Sequence, residues 1–104
     1  MITDRARFLE SLTSEHPPEG LDAPETALWY ALKSDWATAH DLINDLDDPM
    51  AMRLHAYLHR VEPDLSNARY WYRRCGLDMP SVNPAEELDQ ILSVFVHQHS
   101  KPIR

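Results

Sequence analysis

Glycine is nearly missing from this chain, with Gly20 and Gly76 the two in 104 residues. A glycine-rich phosphate-binding loop therefore has no material, and neither G-x-S-x-G nor any other familiar catalytic signature is present. No catalytic residue and no cofactor is assigned. Cysteine is limited to Cys75, which excludes an intrachain disulfide and a thiolate cluster for zinc or iron-sulfur. A core thiol is the expected role. Long apolar runs are absent too: a mostly apolar stretch such as Ile91 to Val96 falls far short of the roughly 20 residues that span a bilayer. Bases are scarce, 10 Lys and Arg against 17 Asp and Glu, for a net charge of −7. Affinity for phosphate backbones comes from a basic surface that releases counterions, so nucleic acid is an unsuitable partner, as is a membrane. Met1 to Glu10 mixes charges with single apolar residues and lacks the order of a signal peptide, which makes the cytoplasm the expected compartment.

What is present points to helices. Apolar residues make up 43% of the chain, enough for a globular core, and 104 residues suit one domain. The eight prolines fall between apolar-periodic segments rather than inside them. A first amphipathic helix, about residues 4–15, places Phe8, Leu9 and Leu12 on one stripe. A second begins at Pro24 and carries Leu28, Trp29 and Leu32. A third, capped by Asp35, aligns Ala39, Leu42, Ile43 and Leu46. The fourth, from Pro49 to about Glu62, aligns Leu54, Tyr57, Leu58 and Val61. The fifth, capped by Asp64 or Ser66, aligns Ala68, Trp71, Tyr72 and Cys75 before Gly76 allows a left-handed stop. The last, residues 84–99, is capped by Asn83, has Glu86 and Glu87 at its positive end, and presents Leu88, Ile91, Leu92 and Phe95. No stretch alternates like a strand. The expected fold is all-α, a compact bundle of about six helices.

The chain also repeats itself. At an offset of 29, Ala27 pairs with Ala56, Trp29 with Leu58, Leu32 with Val61, Asp35 with Asp64, Trp36 with Leu65 and Ala39 with Ala68, without a gap. Each unit reads as a helix, a tight turn with Asp and a large apolar residue, and a second helix whose early Ala lets two backbones approach closely.

The stretch Ala56 to Pro80, AYLHRVEPDLSNARYWYRRCGLDMP, resembles a tetratricopeptide repeat, with Pro63-Asp64-Leu65 at the turn, then Ala68, Tyr72, Cys75 and the closing Pro80. NARYWYRRCG is similar to the end of a Sel1-like repeat. The unit Ala27 to Leu46 matches through Ala27, Tyr30, Asp35-Trp36, Ala39 and Ile43. The core HAYLHRVE and NARYWYRR is also similar to that of small uncharacterised bacterial proteins, a likeness that implies no activity. The departures are a period shorter than the family's 34, Ser34 and Pro63 in place of the turn glycine, and two units where three are usual. The resemblance implies two hairpins over residues 24–80 within a single domain 1–104, flanked by helices 4–15 and 84–99 as caps. It implies a scaffold for a partner, with the first helix of each unit lining the concave surface. That register points at Arg53, Tyr57 and Arg60.

Two constellations carry candidate chemistry. The excess positive charge lies centrally: residues 53–74 hold five bases against two acids, whereas residues 1–52 hold three against eleven. Arg53, Arg60, Arg69 and Arg73, with Tyr57 and neighbouring aromatics, offer a basic patch for an acidic peptide or small anion, since guanidinium groups take carboxylates bidentately. The alternative is internal pairing of these arginines with Asp41, Asp45, Asp47 and Asp48, leaving a structural or self-associating protein. The second constellation is His55 and His59, one helical turn apart, with Glu62 beyond them. They can converge on one metal ion, or serve instead as a packed histidine and a hydrogen-bonded neighbour. The order is not H-E-x-x-H. His97 and His99 receive no role. Tyr70, Trp71 and Tyr72 point to three sides of a helix, so Tyr70 is expected on the surface or at an interface.

Overall fold

A computed structural model describes residues 5–99, with side chains described as far as Phe95. Among these residues there are six α-helices and no strand: α1 (Arg5–Glu10), α2 (Ala23–Leu32), α3 (Trp36–Ile43), α4 (Pro49–Val61), α5 (Leu65–Arg74) and α6 (Pro84–His99), with a 3₁₀ turn at Ser11–Thr13 after α1. No described helix is long and apolar enough to cross a membrane.

Each start has a local cause. Asp22 and Glu25 form a reciprocal capping box, each side chain accepting from the other's backbone N–H at 2.9 Å, and Pro24 sits in the first turn. Asp35, Asp48, Asp64 and Asn83 accept from backbone N–H groups at the starts of α3, α4, α5 and α6. Four acid or amide caps thus satisfy donors that a helix start leaves without partners.

The two units seen in the sequence coincide in the backbone at the turn aspartate. Asp35 has φ −99° and ψ 79°, and Asp64 has φ −101° and ψ 83°. The Asp35 N–H donates to Tyr30 O at 2.9 Å, and the Asp64 N–H to His59 O at 2.7 Å, which is the same bond 29 residues on. The small residues predicted at close approaches, Ala27, Ala39, Ala56 and Ala68, are all fully buried. α2 therefore packs along α3, and α4 along α5, as two helical hairpins.

The main core lies between the hairpins and the flanking helices. Phe8, Leu28, Trp29, Ile43, Leu54, Leu58, Ile91, Leu92 and Phe95 meet there, so α6 crosses α4 and reaches α1 and α2. Each such side chain contributes roughly 1.5–3 kcal/mol on leaving water. A smaller cluster of Ala56, Ala68 and Tyr72 sits inside the α4–α5 hairpin, flanked by Trp71 and Met79. Trp36 joins the hairpins, its indole N–H donating to Leu58 O at 2.6 Å. The radius of gyration, 13.1 Å, equals that of a closed bundle of about 100 residues rather than an open superhelix.

Three expectations are corrected. The first helix is not continuous: after Glu10 the chain tightens to 3₁₀ geometry, which shifts the side-chain phase, so Phe8 is buried, Leu12 is half-buried and Leu9 faces solvent. Val61, at the last turn of α4, is exposed because the chain turns away before anything covers it. Cys75 is half-buried at the end of α5 rather than in a core; burial still pushes its thiol pKa up.

Gly76 takes the left-handed conformation expected of it, φ 81°, but the equivalent role after α2 falls to Ser34, φ 64°. Ser34 N donates to Ala31 O and Asp35 N to Tyr30 O, the paired bonds of a Schellman stop, for which glycine is the unstrained residue. Ser34→Gly is expected to stabilise the fold by roughly 0.5–1 kcal/mol, raising Tm by a few degrees in thermal unfolding.

Candidate functional site

Helix α4 is packed by α2, α3, α5 and α6, so its polar side chains are buried as well as its apolar ones. His55 is 2% exposed and His59 7%. One turn apart on α4, they meet a second one-turn pair, Trp36 and His40, on α3, while α5 supplies Trp71. The His40 ring stacks on Trp36 (centroids 4.7 Å, 8° between planes) and the His55 ring stacks on Trp71 (4.1 Å, 19°). Between these indoles the three imidazoles stand with centroids 4.7 Å (His40–His55), 4.9 Å (His55–His59) and 5.2 Å (His40–His59) apart.

Hydrogen bonding within this group is uneven. His59 Nδ1 donates to Glu62 Oε1 at 2.7 Å, within the one-turn reach foreseen from the sequence. His55 Nδ1 is buried with no hydrogen-bond partner, a deficit that costs about 1–3 kcal/mol in a dry interior. Burial, reinforced by repulsion from His40 and His59, pulls the His55 pKa down to about 4. Burial and His59 also lower that of His40, against the opposing pull of Asp41 and Glu62. Neutral imidazole is thus the favoured form of both at neutral pH, and it is the form that ligates metals.

A second polar group lies on the far side of the α4–α5 hairpin. Glu87 of α6 is fully buried, and its carboxylate accepts from the Tyr72 hydroxyl at 2.6–2.7 Å and from Arg60 Nη1 at 2.7 Å. Arg60 Nη2 donates to the Val82 carbonyl. Burial first, then the bond to Glu87, raises the Tyr72 pKa well above the ordinary phenol value, and the same acid helps burial to raise that of Tyr57.

The five residues expected to form one basic patch are thereby separated. Arg60 is turned inward and neutralised, not by Asp41, Asp45, Asp47 or Asp48 but by Glu87; those four aspartates are exposed, and Asp48 caps α4. Tyr57 is 8% exposed and lines a groove with Ala31, Ser34, Trp36 and Val61. Arg53 is half-buried, its Nε without a partner. Arg69 and Arg73 are exposed on the outer face of α5, with Tyr70, 49% exposed as its position in the aromatic run required. Arg74 extends that face, its guanidinium 5.0 Å from the Trp71 ring and 5.8 Å from the Tyr70 ring. Among the described residues, none of Arg69, Arg73 and Arg74 is within ion-pair distance of an acid; Asp78 lines a hollow with Arg69 and Arg73 without pairing.

The residues that sequence reasoning missed are His40, Glu87 and Arg74. Glu87 carried a usable signal, since it stands one turn before Ile91 on the apolar stripe of α6, where a solvated acid does not belong. His40 is likewise one turn beyond Trp36, but nothing local says that this side of α3 faces His55. Comparison with protein-family models, with curated proteins and with solved structures gives no match to the chain.

Two outcomes follow. Glu87→Leu, which strands Arg60 and the Tyr72 hydroxyl, is expected to destabilise the protein by about 3–5 kcal/mol in urea unfolding, and adding Arg60→Met to recover much of that loss. For His55, the folded pKa lies below the unfolded value of 6.5, so the native state resists protonation. Stability is expected to fall as pH drops from about 6.5 towards 4, by up to about 1.4 kcal/mol per pH unit from this residue. Urea midpoints of chelator-treated protein across that range should show a shallower slope for His55→Leu.

Proposed function

We propose that this chain is a protein-interaction domain that holds an acidic segment of a partner on the outer face of α5. The observation that carries the reading is the set Arg69, Tyr70, Arg73 and Arg74: three guanidiniums and an aromatic ring on one exposed helix, with no acid among the described residues in ion-pair distance, in a chain whose net charge is −7. Planar guanidiniums match carboxylates bidentately, and Tyr70 adds area with little rotamer entropy to lose. The tetratricopeptide-like reading agrees in kind, because stacked helical hairpins serve as rigid platforms for partners, but the surface differs from the one that resemblance implied. Arg60 is committed to Glu87 and Tyr57 is nearly covered, so α5 takes the place of the first-helix face.

The rigid base matters to affinity. Tyr72 on the opposite side of α5 is anchored by Glu87, so the arginines project from a helix that cannot rotate without breaking a buried bond. Exposed ion pairs contribute only about 0.2–1 kcal/mol each, so several must act together.

Fluorescence anisotropy with a labelled glutamate-rich peptide tests this. Binding is expected at low salt, weakening between 50 and 200 mM salt, and falling about tenfold or more in Arg69→Glu/Arg73→Glu. Equal binding by that variant would refute the reading. A concentration-dependent increase in size without peptide binding, also lost on charge reversal, would replace the foreign partner with the exposed aspartates of a second copy.

A further inference from the structure

The histidine cluster shares only Trp71 with the α5 surface, whose ring meets both His55 and Arg74, and it has its own chemistry. Two groups among the described residues bring three potential ligand atoms within 4.8 Å of one another: His40, His55 and His59, and separately His59, Glu62 and Asp64. The second is the weaker candidate. Asp64 is occupied as the cap of α5, accepting from Asn67 and Ser66, and Glu62 and Asp64 are both exposed, where water competes for any cation. Three imidazoles in a largely buried setting have no such competition.

We propose that His40, His55 and His59 form a three-histidine site for a divalent transition-metal ion of the zinc type, with Glu62 orienting His59 from outside the coordination sphere. Four observations carry the assignment. One nitrogen from each ring lies within 4.8 Å of the other two. The ring centroids are 4.7, 4.9 and 5.2 Å apart, and three imidazoles at tetrahedral angles about one zinc, with Zn–N near 2.0–2.1 Å, place their centroids about 5 Å apart. His59 Nδ1–H donates a hydrogen bond to Glu62, which leaves the Nε2 lone pair for a metal; a carboxylate behind a histidine is the usual outer partner of a ligand. His55 Nδ1 is buried without any partner, a polar atom that packing alone does not account for.

The indoles fit the same scheme. Trp36 and Trp71 lie against the flat faces of His40 and His55, contacts that fix the rings while leaving their in-plane nitrogens unobstructed. All three ligands stand on helices joined by the part-buried Trp36–Leu58 bond, so the donors are held by packing rather than by a loop. His40 is the half-exposed member and marks the side of entry. Three protein ligands leave a fourth tetrahedral position to water or an anion. Nitrogen donors without thiolate suit zinc, copper or nickel rather than calcium or magnesium.

The test is calorimetric titration of chelator-treated full-length protein with Zn²⁺, together with thermal unfolding and the visible spectrum with Co²⁺. One equivalent of zinc per chain, a rise in Tm, and a tetrahedral Co²⁺ spectrum are expected. His40→Ala, at a half-exposed position where circular dichroism can verify folding first, is expected to weaken zinc at least about 100-fold. Glu62→Gln, on the surface, is expected to weaken it about 10- to 100-fold. A variant lacking His16, His97 and His99 should bind as the wild type does. No uptake of zinc by the wild type, undiminished binding in folded His40→Ala, or loss of binding in the triple variant would each overturn the assignment. None of these results bears on peptide binding by α5, so the two readings fail separately.

Discussion

The carboxylate of Glu87, fully enclosed and shared between Tyr72 and Arg60, is the constraint on which much of this structure hangs. An ionised acid in a dry interior is tolerable only when its oxygens are filled with donors, and here the donors come from two other helices. α4, α5 and α6 therefore have one mutual arrangement in which the Glu87 carboxylate is not left alone. A purely apolar interface would allow small slips of α6 along the hairpin; this one does not. The same bond removes Arg60 from the surface and fixes which side of α5 faces out.

Burial of charge on one side of α4 coexists with burial of imidazole rings on the other. Arg60 looks towards Glu87 of α6, whereas His55 and His59 look towards α3 and Trp71. A single helix carries both groups because nearly its whole circumference is covered. Its apolar stripe of Leu54 and Leu58 fills the main core, and the polar residues between them have nowhere to go but against other helices. That is why a segment of ordinary hydropathy ends up with three buried polar or aromatic side chains, His55, Tyr57 and His59, beside the half-buried, inward-turned Arg60.

Much of the architecture was legible in the sequence because it is written in local rules. Asp35, Asp64 and Asn83 announced helix starts, Gly76 announced a stop, and the Ala pairs at an offset of 29 marked where backbones come close. The site was legible only in part. His55, His59 and Glu62 lie within two turns of one helix, so their spacing alone brings them together. His40 comes from another helix, and its approach is set by how α3 leans on α4, which no periodicity encodes. The basic patch failed as a unit for a related reason: charge counts along the chain do not reveal which arginine will meet an acid from 27 residues away, as Arg60 meets Glu87. Arg69 and Arg73 stayed outside because α5 has a single buried face, occupied by Ala68 and Tyr72.

The matching turns at Asp35 and Asp64 bear on how such a molecule changes length. Both hairpins close through an aspartate in one backbone conformation, bonded back to the carbonyl five residues earlier. The residues just before those aspartates differ, Ser34 at φ 64° and Pro63 after a cis bond, so what recurs at 29 residues is the helix register rather than the turn as a whole. An insertion of one or two residues within a helix would rotate everything after it by about 100° per residue and scatter the faces. Any change of length that keeps the buried faces in phase has to respect that register.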